Sequence, residues 1–280
     1  MSEIAQEIVN GRTEVTADEI DYLTGRIREL YYSKPNVVSI PSENVFFVGD
    51  LHGDLGAAKT VIEVSKQYKD HTLVFLGDYA DRGPYQVETV NFILSHAICS
   101  PERVIILRGN HESERVSMQY GFYMEVRRKH SDSTFRSYMQ AFEALPIAGL
   151  SKSGVFACHG GIPEGVNSIS DLLTPDRHNI NFEDNIILQL VWNDPIDADI
   201  LFGSNIRGAN IRSYGRKAFD EFSKKLGIRL IFRAHQVFPE GFQRFFDGRL
   251  VSVFSTEYNG RVRPKIAKLG KGLFYHAISL

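Results

Sequence analysis

Val45-Phe46-Phe47-Val48-Gly49-Asp50-Leu51-His52-Gly53-Asp54 joins an unbroken apolar run to a turn made of glycines, carboxylates and an imidazole. An apolar run this short, with no polar alternation, predicts a strand covered on both faces. The pattern recurs along the chain. Leu73 to Leu76 leads into Gly77-Asp78-Tyr79-Ala80-Asp81-Arg82-Gly83, and Val104 to Leu107 into Arg108-Gly109-Asn110-His111-Glu112. Val155 to Cys158 is followed by His159-Gly160-Gly161, and Leu230 to Phe232 by Arg233-Ala234-His235. Helical segments from Ala57 to Tyr68 and from Pro84 to Cys99 separate the first three runs, with proline read at the first helical position. Buried strands alternating with helices predict parallel crossovers.

Further out the signals change. Thr16 and Glu19 form a capping box for a helix that presents Ile20, Leu23, Ile27 and Leu30 on one face. Glu112 to Leu145 reads as two helices, and Tyr214, Ala218, Phe219, Phe222 and Leu226 mark another that Gly227 stops. Phe242 to Phe246, Asp247-Gly248 and Arg249 to Phe254 spell a hairpin, and Lys265 to Leu280 supplies further strands. No linker or repeat divides the chain. The expected organisation is one domain over 1–280: an N-terminal helical extension (1–40), a motif-bearing core (45–260) and C-terminal strands (261–280).

Composition narrows the class. Of 280 residues 43% are hydrophobic, and 32 basic against 34 acidic side chains give a net charge of -2. This is an ordinary globular balance, without the basic footprint that nucleic acid requires. The two cysteines, Cys99 and Cys158, are too few for a disulfide scaffold and form no CxxC pair. No apolar stretch approaches the roughly 18 residues of a membrane helix. Met1-Ser2-Glu3-Ile4 and the C-terminal Ala277-Ile278-Ser279-Leu280 match no signal or lipidation pattern. The expectation is a cytoplasmic protein with no membrane or nucleic-acid partner.

The strand ends carry the chemistry. In an α/β sheet neighbouring carboxyl ends border one crevice, so these turns should converge. Asp50 and His52, two apart in a chain read as extended, point to one side and can grip one ion. Asp78 can bridge to a second ion completed by Asn110, His159 and His235. Oxygen and nitrogen donors without sulfur suit borderline divalent ions such as manganese, iron or zinc better than calcium, and the expected cofactor is a pair of divalent ions, manganese before iron or zinc. Two such ions form the clamp used for attack at phosphorus by a shared hydroxide. His111, next to Asn110, is read as the general acid, with Asp81 orienting it. Arg82 and Arg207 can fork onto phosphate oxygens.

A lone Asp in a glycine-rich turn is most often a turn former, a lone His a satisfied core imidazole, and an Arg near carboxylates can be a structural ion pair. Five strand ends each offering a ligand type are hard to obtain that way. His71, His96, His130, His178 and His276 lie away from these turns and are read as background. Thiol-phosphatase, P-loop, GxSxG and HExxH chemistries lack their residues.

GDLHGD at 49–54, GDYADRG at 77–83, RGNHE at 108–112, LPIAG at 145–149, HGGIP at 159–163, VWNDP at 191–195, RG at 207–208 and RAHQV at 233–237 together resemble the PPP family of serine/threonine protein phosphatases. The resemblance runs in order from about residue 45 to 260. It implies an αββα metallophosphoesterase fold, a central β-sandwich of mixed sheets flanked by helices. It also implies two metals, one on Asp50, His52 and Asp78 and the other on Asp78, Asn110, His159 and His235, with direct attack by hydroxide. His111 with Asp81 would then be the proton donor pair, with phosphate on Arg82, Arg207 and Asn110. The family's site tyrosine falls on Tyr258, in Phe254-Ser255-Thr256-Glu257-Tyr258-Asn259-Gly260, one residue shorter than the family loop and without its cysteine. Asp54 stands where eukaryotic members have glutamine, and Arg207 lacks the usual acidic neighbour. The expected substrates are phosphoproteins, with no regulatory subunit assigned. The alternatives are a nucleotide pyrophosphohydrolase of the symmetrical diadenosine tetraphosphatase type and an inactive phosphoprotein-binding module.

Overall fold

The computed structural model describes residues 3–280; the reading of Met1 and Ser2 against a targeting signal lies outside them. In chain order the first half comprises α1 (Glu3–Val9), α2 (Ala17–Tyr31), β1 (Val37–Ser39), β2 (Val45–Val48), α3 (Leu55–Lys66), β3 (Thr72–Phe75), α4 (Gln86–Cys99), β4 (Val104–Ile106), α5 (Glu114–Tyr120), α6 (Phe122–Lys129) and α7 (Asp132–Ala144). The second half adds β5 (Ala148–Leu150), β6 (Val155–Cys158), α8 (Ile169–Leu173), α9 (Asn185–Trp192), β7 (Asp194–Pro195), β8 (Phe202–Asn205), β9 (Gly208–Tyr214), α10 (Arg216–Leu226), β10 (Leu230–Arg233), β11 (Phe242–Phe245), β12 (Leu250–Val253), β13 (Lys265–Leu269) and β14 (Tyr275–Ser279). The five apolar runs are all strands, to within one residue.

Two mixed sheets stack face to face. One runs β1-β5-β6-β10-β12-β11 and the other β14-β13-β2-β3-β4. Alternation within β2 explains why a run with no polar residue is stable there. Val45 and Phe47 point between the sheets, where Phe47 stacks on Phe232 at 4.0 Å between ring centroids. Phe46 and Val48 point the other way, into the layer of N-terminal helices, among Ile20, Leu23, Phe92 and Phe142. The opposite sheet turns Phe156, Cys158 and Ile231 toward α9 and α10. Each buried aromatic removed from water on both sides contributes roughly 1.5 to 3 kcal/mol. The layering is helix, sheet, sheet, helix.

Several local readings differ from expectation. The span from Glu112 to Leu145 holds three helices, because Gly121 at φ 121° breaks the first into α5 and α6. Tyr214 ends β9 rather than opening α10, which starts after Gly215. α4 starts at Gln86, past Pro84, with Tyr85 at its N-cap. The last part of the 1–40 segment is β1, paired in parallel with β5. A third sheet, β7-β9-β8, has no clear sequence signal and carries Asp194 and Arg207 beside the site. No described helix is long and apolar enough to cross a membrane.

Candidate active site

Parallel registry aligns the strand ends. Val48 on β2 faces Phe75 on β3, and Phe75 faces Ile106 on β4, so Asp50, Asp78 and Asn110 emerge side by side. From the other sheet, β6 and β10 deliver His159 and His235 to the same point. All five side chains are buried, and so are His52 and His111. His159 Nε2 lies 2.9 Å from Asn110 Oδ1 and 3.2 Å from Asp78 Oδ2. His52 Nε2 is 3.5 Å from Asp50 Oδ2 and 3.8 Å from Asp78 Oδ2. The donors of His52, Asp78 and His111 lie within 4.8 Å of one another, as do those of Asp78, His159 and His235.

The backbone presets these groups. His52 Nδ1 and His159 Nδ1 each lie 3.0 Å from a carbonyl, of Ala80 and Leu76, which holds the proton on Nδ1 and turns Nε2 inward. Asp50 Oδ1 accepts the His235 amide and Asp78 Oδ1 the His111 amide, both at 2.9 Å, leaving each Oδ2 for the pocket. His52 and Asp50 do not share a face by extended-strand alternation, as the sequence reading supposed. His52 has φ 44°, and the turn itself brings the two together. Asp78, Asp81, Arg82 and His235 also have left-handed backbone, at φ 57, 67, 70 and 67°. Such residues cost about 1 to 3 kcal/mol each and cluster where function demands the geometry.

The His111–Asp81 pair is equally fixed. His111 Nδ1 lies 2.6 Å from Asp81 Oδ2, and its Nε2 faces the cleft 3.9 Å from Asp78 Oδ2. The break at Gly121 supports this arrangement. It frees the Phe122 amide to bind Asp81 Oδ1 at 2.9 Å, and it frees the Tyr120 carbonyl to accept the Arg82 amide at 3.0 Å.

Electrostatics separates the imidazoles. Burial opposes charge on His52, but Asp50 and Asp78 outweigh it and raise the ring to about 9. Burial likewise opposes charge on His159, and Asp78 pulls it upward. Asp78 resists burial because His159, His111 and His52 hold it well below the usual carboxylate range. His235 is pushed well below the ordinary imidazole value by burial and by His159, Arg207 and Arg233. Its Nε2 is buried with no hydrogen-bond partner. That nitrogen lies 4.0 Å from Asp194 Oδ1, and a neutral imidazole whose donor is within 4.8 Å of those of Asp78 and His159 fits a divalent cation.

Arg82, Arg207 and Tyr258 line the mouth of this cleft of about 220 Å³, together with Trp192 and Tyr120. Arg207, at the β8–β9 turn, gives its Nε to Asp194 Oδ2 at 2.7 Å, so one edge of its guanidinium is an ion pair. Asp194 supplies the acidic partner missing next to Arg207 in sequence, and its other oxygen takes buried Arg233 at 2.9 Å. Sequence reasoning gave no role to Asp194 or Glu112. Glu112 is fully buried and accepts the amides of Asp78, Tyr79 and Gly109 at 2.7 to 2.9 Å. Burial and the Asp78 charge lift it to about 7 against those amides. Its position beside His111 inside the RGNHE turn was the available signal.

Comparison with known proteins places this geometry. The family model for calcineurin-like phosphoesterase matches residues 44–239. The serine/threonine-protein phosphatase 4 catalytic subunit of Kluyveromyces lactis is 34% identical over 257 residues, covering 91% of this chain and 82% of that one. The chain belongs to the PPP-type serine/threonine phosphatases of the calcineurin-like phosphoesterase family. The protein of the same name from Saccharomyces cerevisiae is 34% identical to this phosphoesterase over 230 residues, 82% of this chain and 74% of that one. A solved Saccharomyces cerevisiae protein serine/threonine phosphatase, described as similar to human phosphatase PP5, superposes with a TM-score of 0.83 at 25% identity, over 95% of this chain and 90% of its own. This agrees with the sandwich fold expected from sequence.

Proposed function

We propose that this hydrolase removes phosphate from phosphoserine and phosphothreonine side chains of proteins. The observation that carries the reading is the meeting of Asp50, His52, Asp78, Asn110, His159 and His235 in one buried cluster beside a histidine held by its own carboxylate. The relatives at 34% identity support the phosphoprotein substrate over the dinucleotide. Asp50, His52 and Asp78 would hold one divalent ion, and Asp78, Asn110, His159 and His235 a second, with mixed oxygen and nitrogen donors that accept manganese, iron or zinc and manganese taken as the working ion. When bound, such a pair supplies charge to neutralise the phosphate oxygens and acidifies a water. The remaining work falls to the chain. Arg82, Arg207 and the Asn110 carboxamide orient the phosphate, with Tyr258 over it. His111 delivers the proton on Nε2 to the leaving serine or threonine oxygen, while Asp81 holds the ring through Nδ1. Cys99 and Cys158 are free thiols, which supports a cytoplasmic setting. The relatives' name, catalytic subunit, supports a partner subunit here also.

The test is turnover of p-nitrophenyl phosphate and of a phosphoserine peptide with added manganese. Asp78→Asn and His111→Asn are expected to lose at least about 100-fold. Undiminished rates in both variants would overturn the site assignment, and release of ADP from diadenosine tetraphosphate without peptide turnover would move the assignment to the dinucleotide.

A further inference from the structure

Asp54, which stands where eukaryotic members have glutamine, and Thr256, in the loop that is one residue shorter than the family's, are joined across 202 residues of sequence. Asp54 Oδ1 caps α3 by accepting the Ala57 amide at 2.9 Å, while Oδ2 accepts the Thr256 hydroxyl at 2.8 Å. The hydroxyl oxygen of Thr256, a residue only 3% exposed, then accepts the Tyr258 amide at 3.3 Å. On the other side of the loop, Ser255 Oγ accepts the Gly49 amide at 2.9 Å and donates to the Lys265 carbonyl at 2.7 Å. Tyr258 has φ 47°, a left-handed conformation that a side-chain-bearing residue keeps only when its surroundings fix it.

What the fixed tyrosine touches gives the arrangement its meaning. Its ring is 5.8 Å from the Arg82 guanidinium carbon, which lies 4.3 Å from the Tyr120 ring. Among the described residues the exposed Arg82 side chain makes no ion pair or hydrogen bond. Only these two aromatic rings direct it, each worth about 0.5 to 1 kcal/mol against the freedom of a long side chain. The same ring lies 5.8 Å from His52, and Tyr258 lines both the cleft and a second cavity of about 390 Å³.

We propose that Asp54 and Thr256 are positioning residues: through Tyr258 they hold Arg82 aimed at the phosphate. The proposal rests on the phosphatase reading, since Arg82 needs aiming only if phosphate enters the cleft. Thr256→Val removes the hydroxyl at nearly constant volume, and Thr256→Ser keeps it. In the metal-free protein, amide exchange over 255–260 is expected to quicken about 10-fold in Thr256→Val and to stay at the wild-type rate in Thr256→Ser. With manganese added, calorimetry should show orthophosphate binding about 5-fold weaker in the valine variant, the size of one ordinary hydrogen bond, and restored by serine. In turnover of p-nitrophenyl phosphate the loss should fall on KM rather than kcat. Faster exchange with unchanged orthophosphate affinity would overturn the proposal and make the pair a loop staple. Unchanged exchange would overturn it as well. Wild-type protein that binds orthophosphate but hydrolyses no phosphoester would instead refute the phosphatase reading, and the affinity difference would still decide the brace.

Discussion

Asp81→Asn tests the proton donor pair with the smallest change of shape. In the native arrangement Asp81 accepts twice, from the His111 ring at Oδ2 and from the Phe122 amide at Oδ1. A carboxamide can accept on one side only. With its oxygen kept on the Phe122 amide, its NH₂ meets His111 Nδ1, and two donors cannot face each other. The ring escapes by giving up the Nδ1 proton, which leaves a neutral imidazole with its hydrogen on Nε2. Such a ring still reaches the leaving group but is a far weaker acid. The lost bond, at 2.6 Å, is of the charge-assisted class worth about 1.5 to 3 kcal/mol, or between about 10- and 150-fold in rate. The penalty should depend on the leaving group. A phosphoserine peptide expels a basic alkoxide and needs the proton, so kcat should fall by about that factor or more. p-Nitrophenolate leaves without much help, and its kcat should fall by less than about 5-fold. The assay is kcat for both substrates in wild type and variant at saturating manganese, with thermal unfolding to show that the variant is folded. Equal losses on the two substrates would refute the acid assignment, because they would mean that Asp81 supports the cleft as a whole.

Three further outcomes are expected. His235→Leu keeps the buried volume and removes a neutral nitrogen with no partner, so the metal-free protein should unfold within about 2 °C of wild type while manganese no longer raises its Tm; a large loss in the metal-free state would mean the ring is structural. Arg207→Lys keeps the charge and the salt bridge to Asp194 but loses the second face of the fork, so KM should rise by roughly 10-fold with kcat little changed, and an unaltered KM would remove Arg207 from the phosphate site. His96 is held down to about 4 by burial and then Lys66, whereas its ordinary value is 6.5. The unfolded chain therefore takes up the proton first, so this contribution is complete above about pH 6.5 and lost as pH falls toward 4, up to about 3 kcal/mol in all. In urea unfolding of metal-free protein, the wild type should lose about that much more than His96→Leu between pH 7 and 4, and parallel losses would exclude His96 as the acid-sensitive group.

How much of this was legible in the sequence depends on where each signal lies. The five buried strands were readable because a run such as Val45 to Val48 has no polar face, and a strand of that kind needs a cover on both sides. The convergence of the expected ligands was readable because each lies within four residues of the end of a buried strand, so topology alone brings them together. The stacking of two sheets was not fixed by periodicity, which cannot say whether the second cover over Phe47 is a helix or another sheet; the family resemblance supplied it. The same limit produced the wrong reason for Asp50 and His52. Their spacing of two suggested an extended chain, but His52 is left-handed, and alternation ends where the strand does.

The elements that sequence reading missed share a physical character: their partners are distant in the chain and their role is visible only as a completed hydrogen bond. Gly121 looked like one glycine inside a helical pattern, yet without it the Phe122 amide and the Tyr120 carbonyl would be spent within a single helix, and Asp81 and Arg82 would lose their backbone anchors. Asp194 stands in the VWNDP motif with no sign of its role, while its two oxygens tie Arg233 in the core to Arg207 at the surface. Glu112 sits in the most legible motif of the chain and still shows nothing of its task, which is to collect three amides behind Asp78. Groups that would meet the metal or the phosphate announce themselves by residue type, because few side chains can do that chemistry. Groups that aim them are ordinary residues in ordinary turns, and for these only the folded backbone separates a support from a spacer.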